Sequence, residues 1–205
     1  MKPLLVVISG PSGVGKQTIA NELKSLIPDM KISISATTRL PRDNERDGVD
    51  YYFFERNDFL NKIKHNYFIE NAEVHGNLYG TPVNNIKNAL LEKHLLLLVI
   101  DINGCKSVKK MYPDDTLLFF IKPPCFSNLE ERLLKRGSED IEEIKKRLLT
   151  AKVELSNLSY YDYIVINDDP KRAALEIKSL IFRRAIIEDW YKGFYWWIIF
   201  KSRRK

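Results

Sequence analysis

A chain of 205 residues with 44% hydrophobic content can bury one compact core, with room for small subdomains, and is too short for two full domains. The formal charge of +6 sits at the C-terminal end: residues 183 to 205 hold seven Lys/Arg against Glu188 and Asp189, so the body of the chain is near neutral and no nucleic-acid partner is expected. Two distant cysteines, Cys105 and Cys125, with no CxxC and no Cys/His cluster, exclude a zinc site and a disulfide framework.

The chain opens on the apolar run Leu4-Leu5-Val6-Val7-Ile8, which reads as a core strand. No charged leader precedes a cleavable apolar segment, so a cytoplasmic protein is expected. Directly behind the strand stands Gly10-Pro11-Ser12-Gly13-Val14-Gly15-Lys16-Gln17-Thr18. Strand, glycine loop and helix in this order let consecutive backbone N–H groups turn inward on a phosphate chain. The helix start adds its positive end, and Lys16 reaches the β- and γ-phosphates. This is a nucleoside triphosphate site. Gln17 occupies the place where the motif carries a Ser or Thr hydroxyl for Mg²⁺, with Thr18 one place late. The loop alone does not choose among motor, switch, transporter and kinase.

Ile19, Leu23, Leu26 and Ile27 mark a helix that Pro28 stops. The alternating Lys31-Ile32-Ser33-Ile34-Ser35 reads as a half-buried strand, and its end delivers Ser35-Ala36-Thr37-Thr38-Arg39-Leu40-Pro41-Arg42. Two arginines three apart beside hydroxyl residues suit a bidentate grip on a monophosphate; the alternative is a solvated basic turn. After the polar stretch Asp43 to Gly48, strands at Asp50–Phe54, Phe68–Val74 and Leu78–Pro82 with a short helix through Phe59, Leu60 and Ile63 form a small β-rich insert. Thr81 is the expected N-cap, and Pro82 the first-turn residue, of a helix through Ile86, Leu90 and Leu91.

The run Leu95 to Ile100 re-enters the core and ends in Asp101-Ile102-Asn103-Gly104, which makes Asp101 a metal-site candidate, directly or through water; the alternative is that it caps a turn. Thr116 to Ile121 is a further buried strand, closed by Pro123-Pro124. Charged helical segments follow, one with Arg132 and Arg136 and one carrying Ile144, Leu148, Ala151 and Leu155 on one face together with Arg147. Their arginines could close over a transferred phosphate or simply form a solvated surface. Tyr161 to Ile166 is the last core strand and Lys171 to Arg184 a closing helix. Strands alternating with helices imply an α/β fold with a parallel sheet, with ligands at the strand ends that Gly10, Ser35 and Asp101 occupy. The segment from Asp189 to Lys205 holds all three tryptophans and a basic end. Its apolar run is too short to span a bilayer. Packing on the core or on a second subunit, which would make a homodimer, is expected ahead of contact with anionic lipid.

The chain resembles a guanylate kinase, one of the P-loop nucleoside monophosphate kinases, over about residues 4 to 184. The matching pieces are Gly10 to Lys16, Ser35 to Arg42, Gly48-Val49-Asp50-Tyr51, Phe68-Ile69-Glu70, Gly76-Asn77-Leu78-Tyr79-Gly80-Thr81 and Ile166-Asn167-Asp168-Asp169. The resemblance implies phosphoryl transfer from ATP to GMP with Mg²⁺, on a three-layer parallel-sheet core with a GMP-binding insert and a helical lid. It implies that Ser35, Arg39, Arg42, Tyr51 and Tyr79 hold the GMP phosphate, that Glu70, Ser35 and Thr81 hold guanine with Asp101 counted in the GMP site, and that Arg136 and Arg147 face the transferred group. The implied layout is a core of 1–34, 82–125 and 160–188, an insert of 35–81, and a lid with its following helix at 126–159. Val99 stands where many relatives have an acid, so contacts of that carboxylate do not carry over. Two other readings are a non-catalytic guanylate-kinase-like interaction module, against which Gly15 and Lys16 speak, and a kinase of another nucleotide, against which Glu70 speaks.

Overall fold

The computed structural model describes residues 4–74, 76–135, 141–156 and 158–184. Strand β1 (Leu4–Ser9) feeds helix α1 (Lys16–Leu26) and the short β2 (Lys31–Ile32). The insert follows as β3 (Ala36–Thr37), β4 (Tyr52–Phe53), α2 (Arg56–Lys64), β5 (Phe68–Val74) and β6 (Asn77–Pro82). The core resumes with α3 (Val83–Leu91), β7 (Leu95–Val99), α4 (Ile102–Met111) and β8 (Thr116–Lys122). Helices α5 (Phe126–Lys135) and α6 (Ile141–Ser156), β9 (Tyr163–Ile166) and a last helix, α7, over residues 170–184 complete it.

Five strands form a parallel sheet in the order β2-β7-β1-β8-β9. Every residue of β1 is buried because helices cover both faces. Val6, Ile8, Leu117, Phe119 and Val165 face α1 and α7 through Ile19, Leu23, Ala174, Ile177 and Ile181. Leu5, Val7, Leu98, Leu118 and Phe120 face α3 and α4 through Ile86, Ala89, Cys105 and Val108. The result is the expected three-layer α/β core. Val99 joins the apolar layer on the α1 side.

The insert is a second, mixed sheet in the order β4-β3-β6-β5 with its own small core, in which the rings of Phe59 and Phe68 stack at 4.4 Å beside Ala36 and Leu78. The expected strand Lys31–Ser35 is interrupted here. After Ile32 the chain leaves one sheet for the other, and Asn85 of α3 donates from its amide to Ser33 Oγ at 3.1 Å and to the Ile34 carbonyl at 2.9 Å. Alternation of Ile32 and Ile34 suggested a continuous strand because periodicity does not reveal which sheet a residue joins.

One further expectation is corrected. Pro82, not Thr81, is the N-cap of α3, because the Thr81 hydroxyl donates instead to Glu70 Oε1 at 2.7 Å. Helix α4, for which the sequence carried no expectation, has Asn103 and Gly104 in its first turn, and Asp101 caps it by accepting the Gly104 N–H at 2.8 Å.

Gly10 has φ of 144°, and a Cβ there would run into the backbone carbonyl of Ile121 on β8, which cannot swing aside. Gly10→Ala is expected to cost about 2 to 4 kcal/mol of folding stability through this clash and the strained backbone. A urea midpoint equal to that of the parent protein would contradict the assignment.

Candidate nucleotide-binding site

The phosphate loop runs from the end of β1 to the start of α1, which Gly15 caps at φ of 96°. A Cβ on Gly15 would sit 2.6 Å from the Asn167 amide nitrogen, so later segments pack directly against the loop. Asn167, 1% exposed, donates to the Val14 carbonyl at 2.6 Å, and Arg132 of α5 donates to the same carbonyl at 3.1 Å. Arg132 also donates to the Asn167 carbonyl at 3.3 Å. Arg147 of α6 donates to Ser12 Oγ at 2.9 Å. Lys16 folds back over the loop, donating to the carbonyls of Gly10 and, at 3.1 Å, Pro11. Pro11, Ser12 and Gly13 complete the turn. Gln17 is exposed, its amide donating to Asn21 at 3.2 Å, and Thr18 is exposed beside it.

A second cluster lies on the insert. The Arg39 guanidinium donates to both carboxylate oxygens of Glu45 at 2.9 Å and to the Leu40 carbonyl at 2.7 Å, and it lies 5.5 Å from the centre of the Tyr51 ring. Burial pulls the Arg39 pKa down, but hydrogen bonds and charge from Glu45, with Tyr79, outweigh it and raise the pKa. Tyr51 and Tyr79 pack edge to face with centroids 6.2 Å apart, and burial, with Tyr79 next, raises the Tyr51 pKa, so its phenol keeps its proton. Glu45 also accepts the Arg42 backbone N–H at 2.9 Å, while the Arg42 side chain is exposed, 3.9 Å from Glu45. Ser35 lies at the entry to this sheet, its carbonyl accepting the Tyr52 N–H at 2.9 Å.

Glu70 stands on β5 of the insert, where that strand meets α4. Burial pushes its carboxyl up to about 7; the Thr81 hydrogen bond counteracts this and the nearby Asp101 charge adds to it. Its side chain packs on α4, since a Cβ on Gly104 would come 3.0 Å from Glu70 Cγ. The Asp101 charge acts on Glu70 and, together with that of Lys16, on Glu154 of α6. Asp101 Oδ1 is engaged by the α4 cap, and among the described residues no three acidic, His or Cys side chains cluster as a metal site.

The structure therefore gathers the loop Gly10–Lys16 with Arg147, separately Arg39, Tyr51 and Tyr79 on the insert with Ser35 at its entry, and Glu70 with Thr81 near Asp101. Arg42 stays at the rim. Arg136 lies outside the described residues. For four residues around these clusters the sequence pointed to a different role or to none. Glu45 sat in a stretch read as a polar turn, and nothing local announces its bidentate pair. Arg132 and Asn167 lay within segments already noted, but only tertiary packing brings both to Val14. Glu154 on α6 is the fourth: burial raises its pKa, and the charges of Lys16 and Asp101 act on it, so the second acid near the loop comes from α6 while position 99 is Val.

The model of the family described as guanylate kinase matches residues 2–184. The chain belongs to the guanylate kinase family. It is similar to the guanylate kinase of Carboxydothermus hydrogenoformans, 45% identical over 180 residues and 88% of each chain, and to that of Desulfitobacterium hafniense, 43% identical over 178 residues, 87% of this chain and 88% of the other. Among solved structures it is similar to the guanylate kinase from Anaplasma phagocytophilum, with a TM-score of 0.71, 32% identity and coverage of 88% of this chain and 85% of that one. A gluconokinase from Sinorhizobium meliloti, 12% identical with a TM-score of 0.50 over 91% of this chain and 98% of that one, shares the fold alone. Membership of this family makes the chain an ATP-dependent nucleoside monophosphate kinase of purine metabolism. Among the described residues no helix is long and apolar enough to cross a membrane.

Because the folded pKa of Glu70, about 7, is raised from the ordinary 4.5, the native state holds a proton that the unfolded chain releases between those values. The stability contributed by the neutral carboxyl is complete below pH 4.5 and is lost as pH rises through 7. Glu70→Gln, which keeps an acceptor for Thr81, is expected to unfold at a higher temperature than the parent at pH 8, with the gap closing toward pH 5. A gap that is the same at both pH values would remove the buried-carboxyl reading.

Proposed function

We propose that the chain transfers the γ-phosphoryl group of ATP to the phosphate oxygen of GMP, with the loop Gly10–Thr18 as donor cradle and the insert 35–81 as acceptor site. The core of 1–34, 82–125 and 160–188 holds the two in line, and 126–159 acts as the lid. The observation that carries the reading is the buried Glu70–Thr81 pair beside Asp101, at the seam of core and insert. Guanine presents N1–H and its 2-amino group side by side, so an ionised Glu70 accepts both while Thr81 stays on Oε1 and Ser35 adds a contact. Adenine offers N1 as an acceptor and has no 2-amino group, which leaves a desolvated carboxylate unpaired.

On this reading the GMP phosphate takes Arg39, Arg42, Tyr51 and Tyr79, and Glu45 acts as a positioning residue that fixes the guanidinium before substrate arrives. Lys16 leaves the Gly10 and Pro11 carbonyls for the β- and γ-phosphates. Arg147 and Arg132 both reach the loop, and Arg136 is assigned to the transferred group by resemblance. No protein nucleophile is required; positioning and charge neutralisation carry the barrier reduction. The donor set fits Mg²⁺ brought in by the nucleotide, since one carboxylate, water and phosphate oxygens are an ordinary set for that ion. Asp101 would hold it through its second oxygen or through water, in place of the loop hydroxyl that Gln17 lacks. Bound Mg²⁺ supplies neutralisation of the phosphate charge. Both cysteines are unpaired, and burial pushes the Cys105 thiol up to about 12, in keeping with a cytoplasmic setting.

Coupled ADP-release measurements with GMP, dGMP, AMP, CMP, UMP and dTMP test the base assignment. GMP is expected to exceed AMP by at least about two orders of magnitude in kcat/KM. Equal rates, or turnover only with a pyrimidine nucleotide, would reject it. Lys16→Ala is expected to lower kcat by about two to three orders of magnitude, roughly 3 to 4 kcal/mol of barrier, with an unchanged circular dichroism spectrum. A fall of less than about threefold would remove Lys16 from the mechanism.

A further inference from the structure

Two stretches of chain join the core to the insert. On the outgoing one, the Ser33 N–H donates to the Leu97 carbonyl of β7 at 2.8 Å, a bond to the core sheet, and the Ser35 carbonyl accepts the Tyr52 N–H of β4 at 2.9 Å, a bond to the insert sheet. Ile34 lies between them, and among the described residues no backbone hydrogen bond holds it. On the return, β6 ends at Pro82 and the Val83 N–H still donates to the Tyr67 carbonyl of the insert at 2.9 Å, whereas Ile86 is already buried in the apolar layer on the core sheet. Asn85 stands between Val83 and Ile86, in the first turn of α3.

We propose that Asn85 is a positioning residue for phosphoryl transfer: its amide locks the joint at Ile34 and so fixes the angle of the insert against the core. The amide nitrogen donates to the Ser33 hydroxyl at 3.1 Å and to the Ile34 carbonyl at 2.9 Å. A carbonyl only accepts, so the nitrogen end of the amide must face it. One side chain of the returning helix thus grips the two outgoing residues at the point where the sheets part. Packing leaves this joint room to bend, because beside it lies an open groove of about 190 Å³ lined by Ile32 and Leu96 of the core, Tyr52 of the insert and Asn85 itself.

The insert is also fastened to the core where Ile69 joins the layer beneath α3 and α4 and where the Glu70 side chain packs on Gly104. A body held at one seam can swing about it, and a second fastening removes that freedom. Arg39 and Tyr51 ride on the insert while the phosphate loop belongs to the core. The inference rests on the function proposed above, in which the acceptor phosphate sits on the insert and the donor on the loop, so that a swing changes their separation. A misplacement of about 1 Å costs about a hundredfold in rate. With the clasp in place little ordering is left for the acceptor to bring about; without it, that ordering falls on GMP binding.

Asn85→Ala, and separately the isosteric Asn85→Asp, whose carboxylate has no proton to give, are expected to raise the KM for GMP about tenfold while the Kd of ATP stays within about twofold of the parent value. Ser33→Ala removes one of the two bonds and is expected to raise that KM about threefold, and to add nothing when combined with Asn85→Ala. The angle itself is read without substrate, from spin labels on the exposed Cys125 and on Asn61→Cys in α2. The distance distribution between the labels is expected to be broader in both Asn85 variants than in the parent. Distributions as narrow as the parent's, an unchanged KM for GMP, or a loss of ATP affinity equal to that for GMP, which marks general loosening, would each overturn the proposal. If the parent itself does not turn over GMP, the acceptor assignment is lost and the distance distributions alone decide whether Asn85 fixes the joint.

Discussion

The phosphate loop can present N–H groups to an anion only because its carbonyls are satisfied from behind. Val14 gives its oxygen to Asn167 and Arg132, and Pro11 gives its oxygen to the Val14 N–H at 3.2 Å, pairings that remain when Lys16 turns to the phosphates. A loop whose oxygens lacked partners would turn them toward the cleft, and the site would repel phosphate. The segments that follow β8 and β9 therefore serve the first fifteen residues of the chain. This is why Gly10 and Gly15, wedged against Ile121 and Asn167, tolerate no side chain.

Electrostatic preparation differs between the two halves of the site. On the insert, Arg39 is held by Glu45 and walled by aromatic rings, so a rigid cation waits for its anion with little ordering left to do. At the seam the reverse holds. Burial raises Glu70, and Asp101 raises it further, so the carboxyl is poised near neutrality and a ligand offering two donors draws out its charge. Around the loop, Glu154 shares the field of Lys16 and Asp101, which distributes negative charge onto α6 while β7 carries Val99.

The sequence made the parallel core legible because β1, β7 and β8 are continuous apolar runs, and the glycine loop carries its chemistry in its spacing. Arg39 was legible from its spacing to Arg42, but Tyr51 and Tyr79 were reachable only through the resemblance, since they come from separate strands or loops and no local period links them to it. Helix α4 escaped because Asn103 and Gly104 are poor helix formers; tertiary packing of Cys105 and Val108 overrides them. Thr81 was read as a cap because a hydroxyl ahead of a helix competes for the same role, and the buried Glu70 carboxyl won its proton. The bond from Glu45 to Arg39 depends on a turn geometry that no sequence pattern prescribes.

The chain enters the insert through Ser33 and Ile34 and returns into α3, and Asn85 on that helix hydrogen-bonds both residues of the outgoing strand of chain. The doorway is clasped there, and the second sheet beyond it is filled by its own aromatic cluster around Phe59 and Phe68 while Ile69 of β5 reaches back into the layer beneath α3 and α4. A substitution at Phe59 or Phe68 is therefore felt first in the second sheet, and one at Ile69 in both sheets at once.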